Sequence, residues 1–242
     1  MLSIRQLDRT DDAADRKERL DMNQTTRKAY AKINIGLDVL RRRENGYHEV
    51  RMIMQTVNIC DDLILEKTVQ PGISILTNHK ELPVDQNNLI YKAAELMRRQ
   101  YDIRQGVRIH FQKNIPIAAG MAGGSTDAAA TMKGMNRLFG LALSPGELRE
   151  LGVQIGADVP YCVTGGTALA EGIGEKLTML PPAPQCTLLV AKPDINVSTK
   201  YVYEHLDAAG VAVHPDIDGM VEAIRQGTCR GLWRGWGMCW RA

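Results

Sequence analysis

Asn114–Ala130 reads NIPIAAGMAGGSTDAAA. Upstream, Gly106–Phe111 (GVRIHF) alternates and carries β-branched residues, which predicts a strand. Downstream, Ala128–Phe139 is rich in Ala, Met and Leu, has no Pro, and predicts a helix. Gly120, Gly123 and Gly124 lie between, followed by Ser125, Thr126 and Asp127, residue types that start helices. The order is therefore strand, glycine loop, helix N-terminus. Such a junction favours an anion, because the first helical N–H groups lack internal partners and the helix dipole places partial positive charge there. Glycines let the backbone approach a phosphate and adopt positive φ, and the two hydroxyls add donors. The junction reads as a cradle for a nucleotide triphosphate.

Two familiar cradles are excluded. No G-x-x-x-x-G-K-[ST] is present, and no G-x-G-x-x-G opens a βαβ unit. On the glycines alone a second reading stays open, in which they only permit close packing of strand against helix.

The 242 residues suffice for a buried core in one large or two small domains. A net charge of +2 gives no reason to expect nucleic acid or a membrane surface as partner. No apolar run approaches the roughly eighteen residues of a membrane span. The N-terminus has no apolar signal-peptide core. Cys60, Cys162, Cys186, Cys229 and Cys239 are odd in number and lack paired spacing. Together these features predict reduced thiols and a cytoplasmic protein. No Cys has a neighbouring His or Cys at metal-ligand spacing, and the sequence shows no dedicated protein cage for a metal.

Residues 1–27 are strongly charged and poor in core residues, which predicts a flexible extension, with Met22 as an alternative start. Ala29–Leu40 and Tyr47–Val57 read as strands joined across an Asn45-Gly46 turn. Asp61-Asp62 reads as a further turn before a third strand, Leu63–Lys67, and residues 71–77 as an edge strand. Leu89–Tyr101 has helical spacing. Ser144-Pro145-Gly146-Glu147 predicts a capped helix start, with the helix running to about Ile155. Gly156–Pro160 reads as a loop. Gly165–Glu175 and Thr187–Lys192 read as strands, and Ser198-Thr199 as the cap of a helix over about Lys200–Ala209. Strands in runs with helices between them predict an α+β fold.

The last residues, TCRGLWRGWGMCWRA, hold all three Trp of the chain. Gly235–Trp240 back-translates so that a shifted frame reads Met-Gly-Asn-Val-Leu. Residues 228–242 are therefore expected to be out of the native frame.

Three sets of residues invite chemistry. Lys32 and Asn34 are two apart, so on a strand they share a face. The Lys either meets a partner or an anion there, or snorkels from an edge. Asp158 sits before Val159-Pro160, where a carboxylate either takes a proton from a substrate hydroxyl or only closes a turn. Tyr47-His48 follows the Asn-Gly turn and either stacks on and reads a base, or forms a surface pair.

The loop wording P-x-x-x-G-x-x-G-G-S-[ST]-D-A-A resembles the phosphate loop of the GHMP kinases. Three ordered stretches narrow the resemblance: AYAKINIGLDVL with NGYHEVRMIMQTV, then IPIAAGMAGGSTDAAA, then GADVPYCVTGGTALAEGIGE. Together they span roughly Ala29 to Tyr203 and look like the 4-diphosphocytidyl-2-C-methyl-D-erythritol kinases of the non-mevalonate isoprenoid pathway. Lys-x-Asn and Gly-Tyr-His carry the narrowing.

The resemblance implies a two-lobed α+β GHMP fold. Its ribosomal-protein-S5-like ATP-binding lobe would span 28–180, and an incomplete ferredoxin-like lobe 181–242. It implies ATP-dependent phosphorylation of the 2-hydroxyl of a CDP-linked methylerythritol, a small-molecule substrate, with Mg2+ on the ATP phosphates. Asp158 matches the base, and Lys32 the lysine that stabilises charge as the hydroxyl attacks. Asn34 would contact the methylerythritol part. His48 would pair with the cytosine edge, Tyr47 would stack on the ring, and Thr199 and Tyr203 would close the pocket. Pro116, Ile117, Ala118, Ala119, Gly120, Met121, Ala122, Gly123, Gly124, Ser125 and Thr126 would wrap the phosphates, with Lys113 and Asn88 at nucleotide contacts. Met121 and Ala122 stand where the family usually has Leu and Gly. The family pattern also continues into a further glycine-rich loop that this chain does not show. An inactive nucleotide-binding remnant, or another GHMP small-molecule kinase, are the alternatives.

Overall fold

A computed structural model describes residues 2–4, 23–191, 201–202, 205 and 214–228. Its frame is a long antiparallel hairpin of β2 (Gln24–Arg42) and β3 (His48–Thr68). The expected turn closes it. Gly46 takes φ +83°, its N–H donates to the Arg43 carbonyl, and the Tyr47 N–H donates to Asn45 Oδ1. A side chain at positive φ would be strained, which is why Gly follows Asn here.

β3 is the spine of a six-stranded sheet. One edge pairs with β2 throughout. The other is shared: Val50–Gln55 pairs with β6 (Thr167–Gly172), and Asp62–Thr68 with β5 (Gly106–Gln112). β4 (Ile73–Thr77) lies parallel to β5, the connection running through α1 (Leu89–Gln100). β7 (Lys176–Met179) pairs with β6 at the far side.

α2 (Gly123–Leu138) packs with α1 against β2 and β3. Ala128, Met132 and Met135 of α2 are buried with Met97, Leu63, Leu65 and Ile109. Each large apolar side chain so buried contributes about 1.5–3 kcal/mol. α3 (Pro145–Val153) starts with the expected reciprocal Ser144–Glu147 capping box. α4 (Val159–Thr164) follows directly. α5 (Ile217–Arg225) buries Ile217, Met220, Val221 and Ile224, spaced as one helical face, against Ile35, Ile53, Ile115 and Met121. A Cβ on Gly36 would stand 2.9 Å from the Met220 sulfur, so a larger residue there would push the Met220 and Ile217 side chains from their places between this helix and β2.

Several expectations are corrected. Asp61-Asp62 is not a turn; β3 runs through it, and Asp61 is fully buried. Within the stretch expected as a flexible extension, β1 (Leu2–Ile4) pairs with β8 (Cys186–Leu188), and β2 begins at Gln24. The expected strand 165–175 ends at Gly172 and is followed by β7, while β8 is shorter than 187–192. α4 begins inside the expected loop 156–160, and α5 was not anticipated. Thr199, Tyr203 and residues 229–242 of the expected out-of-frame tail lie outside the described residues. Among the described residues no helix is long and apolar enough to cross a membrane.

Candidate active site

The glycine loop leaves β5 and ends in α2. Ala118, Gly120 and Ala122 take φ of +54°, +68° and +54°, so the backbone turns repeatedly through the left-handed region. Pro116, Ile117, Ala118, Gly120 and Gly124 are exposed, while Met121 is buried against the α5 cluster and anchors the loop from below. Ala122 caps α2 without a side-chain bond. The Thr126 N–H donates to the Ala122 carbonyl, which leaves the N–H groups of Gly123, Gly124 and Ser125 ahead of that bond as the donors a phosphate can take.

Beneath the loop lies a buried ion cluster that sequence reasoning missed. Lys113 Nζ stands 2.6 Å from Asp61 Oδ2 and 2.9 Å from Asp127 Oδ2. The Lys113, Asp61 and Asp127 side chains are 6%, 0% and 5% exposed. The other Asp61 oxygen accepts the backbone N–H groups of Asn114 and Ile115. One carboxylate thus holds the entry to the loop, and the lysine ties it to the first turn of α2. Burial pushes Asp127 well above the usual carboxylate range; Lys113 pulls it back, and Asp61 pushes it further up. A Cβ on Gly123 would lie 2.8 Å from Lys113 Nζ, so a larger residue there would displace the ammonium from its place under the helix start. Lys113, expected at the nucleotide, is placed below the loop. The only hint in the sequence was the Asp61-Asp62 pair itself.

The second half of the site is built on β2. Its register against β3 breaks between Tyr30 and Lys32. The Lys32 N–H donates to the Met121 carbonyl at 3.1 Å, and Thr126 Oγ1 donates to the Tyr30 carbonyl at 2.8 Å. The break therefore docks the loop onto the strand. The Lys32 side chain, 6% exposed, directs Nζ to Asn34 Oδ1 at 3.1 Å and to Asp158 Oδ2 at 3.6 Å. Asp158, the N-cap position of α4, remains 32% exposed. A buried ammonium, an accessible carboxylate and a phosphate loop thus share one corner. Cys162, one turn on, is half-buried, and burial pushes its thiol up to about 12, which favours the protonated form.

The other predicted residues lie further off. Tyr47 is exposed at the hairpin end, and His48 is buried beside it. Burial, then the Arg42 charge, holds the imidazole below its ordinary value, so it is neutral at pH 7. His48 and Thr56, the residue opposite Lys32, lie on the same strand, which if straight would separate them by about 26 Å. Asn88 is the N-cap of α1: its Oδ1 accepts from the Ile90 N–H and its Nδ2 donates to the Pro83 carbonyl. Among the described residues no group of three or more His, Cys, Asp or Glu is placed to hold a metal ion.

Residues 88–166 match the family model of the GHMP kinases N terminal domain. A 4-diphosphocytidyl-2-C-methyl-D-erythritol kinase of Lachnospira eligens is 60% identical over 198 residues, covering 82% of this chain and 69% of that protein. The chain belongs to the 4-diphosphocytidyl-2-C-methyl-D-erythritol kinase family. The Caldicellulosiruptor saccharolyticus member of this kinase family is 54% identical over 205 residues, covering 85% of this chain and 71% of its own. A crystal structure of a 4-(cytidine 5'-diphospho)-2C-methyl-D-erythritol kinase superposes with a TM-score of 0.68 at 31% identity, over 84% of this chain and 72% of that one. Homoserine kinase from Cytophaga hutchinsonii superposes at 0.67 with 18% identity, over 89% and 72%, and shows the shared fold alone. The two-lobed α+β GHMP architecture and the small-molecule kinase class expected from the sequence are thus in place.

Proposed function

We propose that the chain transfers the γ-phosphoryl group of ATP to the 2-hydroxyl of 4-diphosphocytidyl-2-C-methyl-D-erythritol. The observation that carries the reading is the corner where Lys32 joins both parts of the chemistry. Its backbone holds the phosphate loop at Met121, and its ammonium faces Asp158.

In this reading Asp158 accepts the hydroxyl proton and aims the oxygen at the γ-phosphorus. The new O–P bond forms as the bond from the γ-phosphorus to the bridging oxygen breaks, and ADP leaves. Lys32 faces the negative charge that builds on the attacking and transferring oxygens, and Asn34 fixes the lysine and meets the methylerythritol part. The N–H donors of Gly123, Gly124 and Ser125 take phosphate oxygens and leave others to magnesium, which neutralises charge when bound. The protein then contributes position and oriented dipoles. Neutral His48 carries one donor and one acceptor nitrogen, so a single ring nitrogen can pair with a cytosine edge, while Tyr47 offers a stacking face. Thr199 and Tyr203 would complete that pocket. Residues 28–180 would form the ATP-binding lobe and 181–242 the second.

The test is ADP release with ATP, magnesium and the CDP-linked substrate, in the parent and in Asp158→Asn. Loss of a proton acceptor should lower kcat by about 10²–10⁴-fold. Parental turnover in Asp158→Asn would remove Asp158 from the reaction. Substrate binding without turnover in the parent would mark a nucleotide-binding protein that is not a catalyst.

A further inference from the structure

Lys32 and Asp158 meet across two elements, β2 and α4, and their 3.6 Å separation has to be set by something stiffer than the pair itself. Three residues beyond Asp158, Tyr161 is 1% exposed. Its hydroxyl donates to the Gly166 carbonyl at 2.7 Å. Its oxygen also lies 3.0 Å from Thr56 Oγ1. A phenol has one proton, and Gly166 takes it, so Thr56 donates to Tyr161. Thr56 Oγ1 in turn accepts the Gly166 N–H at 2.9 Å, and the Thr56 N–H donates to the Gly166 carbonyl at 3.0 Å. The ring of bonds is closed, with every donor used.

Its position matters. Thr56 stands directly opposite Lys32 in the β2–β3 ladder. Residues directly opposite in an antiparallel pair present side chains to the same face. Asp158 and Tyr161 are three apart, the spacing of neighbours on one helical face. The Cys162 N–H to Asp158 carbonyl bond makes Asp158 continuous with that turn. Two struts therefore run side by side from the hairpin to α4. One is the charged pair Lys32–Asp158, partly open to solvent; the other is the buried pair Thr56–Tyr161.

We infer that Thr56 and Tyr161 are positioning residues, whose hydroxyl–hydroxyl bond fixes the distance and angle of the Asp158 carboxylate from the Lys32 ammonium during phosphoryl transfer. The inference rests on the proposed kinase reaction. Burial pushes the Tyr161 phenol well up from its ordinary value, so the ring of bonds persists across the working pH range. Neither residue reaches the substrate in this account; both act through Asp158. Loosening a reacting group by about 1 Å costs on the order of 10²-fold, and losing one bond of a closed ring loosens α4 by less.

The experiment is steady-state kinetics of Tyr161→Phe, Thr56→Val, the double variant and Thr56→Ser, beside Asp158→Asn. The expected result is a kcat loss of about tenfold in Tyr161→Phe and Thr56→Val, with KM for ATP and for the CDP-linked substrate within about twofold. The double variant should fall no further than the worse single variant, and Thr56→Ser should restore parental kcat. Parental kcat in Tyr161→Phe, or additive losses in the double variant, would overturn the inference. So would a fall confined to the amount of folded enzyme, measured by active-site titration. If Tyr161→Phe fails to fold, Thr56→Val against Thr56→Ser decides by the same criteria. Parental turnover in Asp158→Asn would remove the group through which both residues act and overturn the inference, whereas no turnover of the CDP-linked substrate in the parent would instead sink the reaction assignment on which it stands.

Discussion

Lys113→Met separates two roles for one lysine. The family resemblance placed Lys113 at the nucleotide, whereas the structure holds its ammonium under the loop between Asp61 and Asp127. Methionine keeps much of the volume and removes the charge. Breaking a buried ion pair from one side costs about 3–5 kcal/mol, because the remaining charge is left without compensation. Against a total stability of about 5–15 kcal/mol this is a large fraction. The pH dependence has a definite sign. Asp127 already sits above its unfolded value of 3.8, and loss of the cation raises it further. A carboxyl with a raised folded pKa has its full stability below the unfolded value and loses it as pH rises through the folded value. The penalty of Lys113→Met should therefore be largest near neutrality and shrink in acid. Urea unfolding at about pH 7.5 and about pH 5.5 reads both features, and the expected loss at the higher pH is about 3 kcal/mol or more. A variant within about 1 kcal/mol of the parent at both pH values, with KM for ATP raised about tenfold, would refute the buried cluster and put Lys113 at the nucleotide.

Ala122 holds a left-handed conformation at the start of α2. Ala122→Gly removes about 1–2 kcal/mol of steric strain, against up to about 1 kcal/mol of added chain entropy, so thermal unfolding should show an unchanged or modestly raised midpoint and never a large fall. Gly134 runs the other way. Helix propensity favours Ala by about 1 kcal/mol, but its Cβ would stand 2.7 Å from Leu65 Cδ1, which is fully buried. Overpacking there costs about 1–3 kcal/mol, so Gly134→Ala should be destabilising in urea titration. His48 has a folded pKa below its ordinary 6.5, so the stability it contributes is complete above that value and is lost as pH falls through the lowered one. The stability gap between parent and His48→Gln should therefore move against the parent on acidification, and the variant's KM for the CDP-linked substrate, not for ATP, should rise.

The legible parts of the fold were those with local causes. The Asn45-Gly46 turn, the Ser144–Glu147 box and the strand–glycine–helix order each rest on a few adjacent residues, and each is present. β3 was not legible as one strand, because Asp61-Asp62 looks like a turn until Lys113 and two backbone N–H groups arrive from far along the chain. The apolar face of α5 was present in the sequence at 217, 220, 221 and 224, yet its burial depends on Gly36 and the underside of the loop. At the site, Lys32 and Asp158 were named from sequence and meet in space. What joins them to the loop is a register break between Tyr30 and Lys32, and that is a property of pairing with β3 which no single strand reveals.

Phosphorus NMR of a reaction with ATP, magnesium and 4-diphosphocytidyl-2-C-methyl-D-erythritol tests the central claim most directly. One new phosphomonoester resonance per ADP formed is expected, with the substrate's diphosphate bridge intact and the resonance growing about 10²–10⁴-fold more slowly in Asp158→Asn. ADP accompanied only by inorganic phosphate, or a phosphomonoester formed at the parental rate by Asp158→Asn, would contradict it.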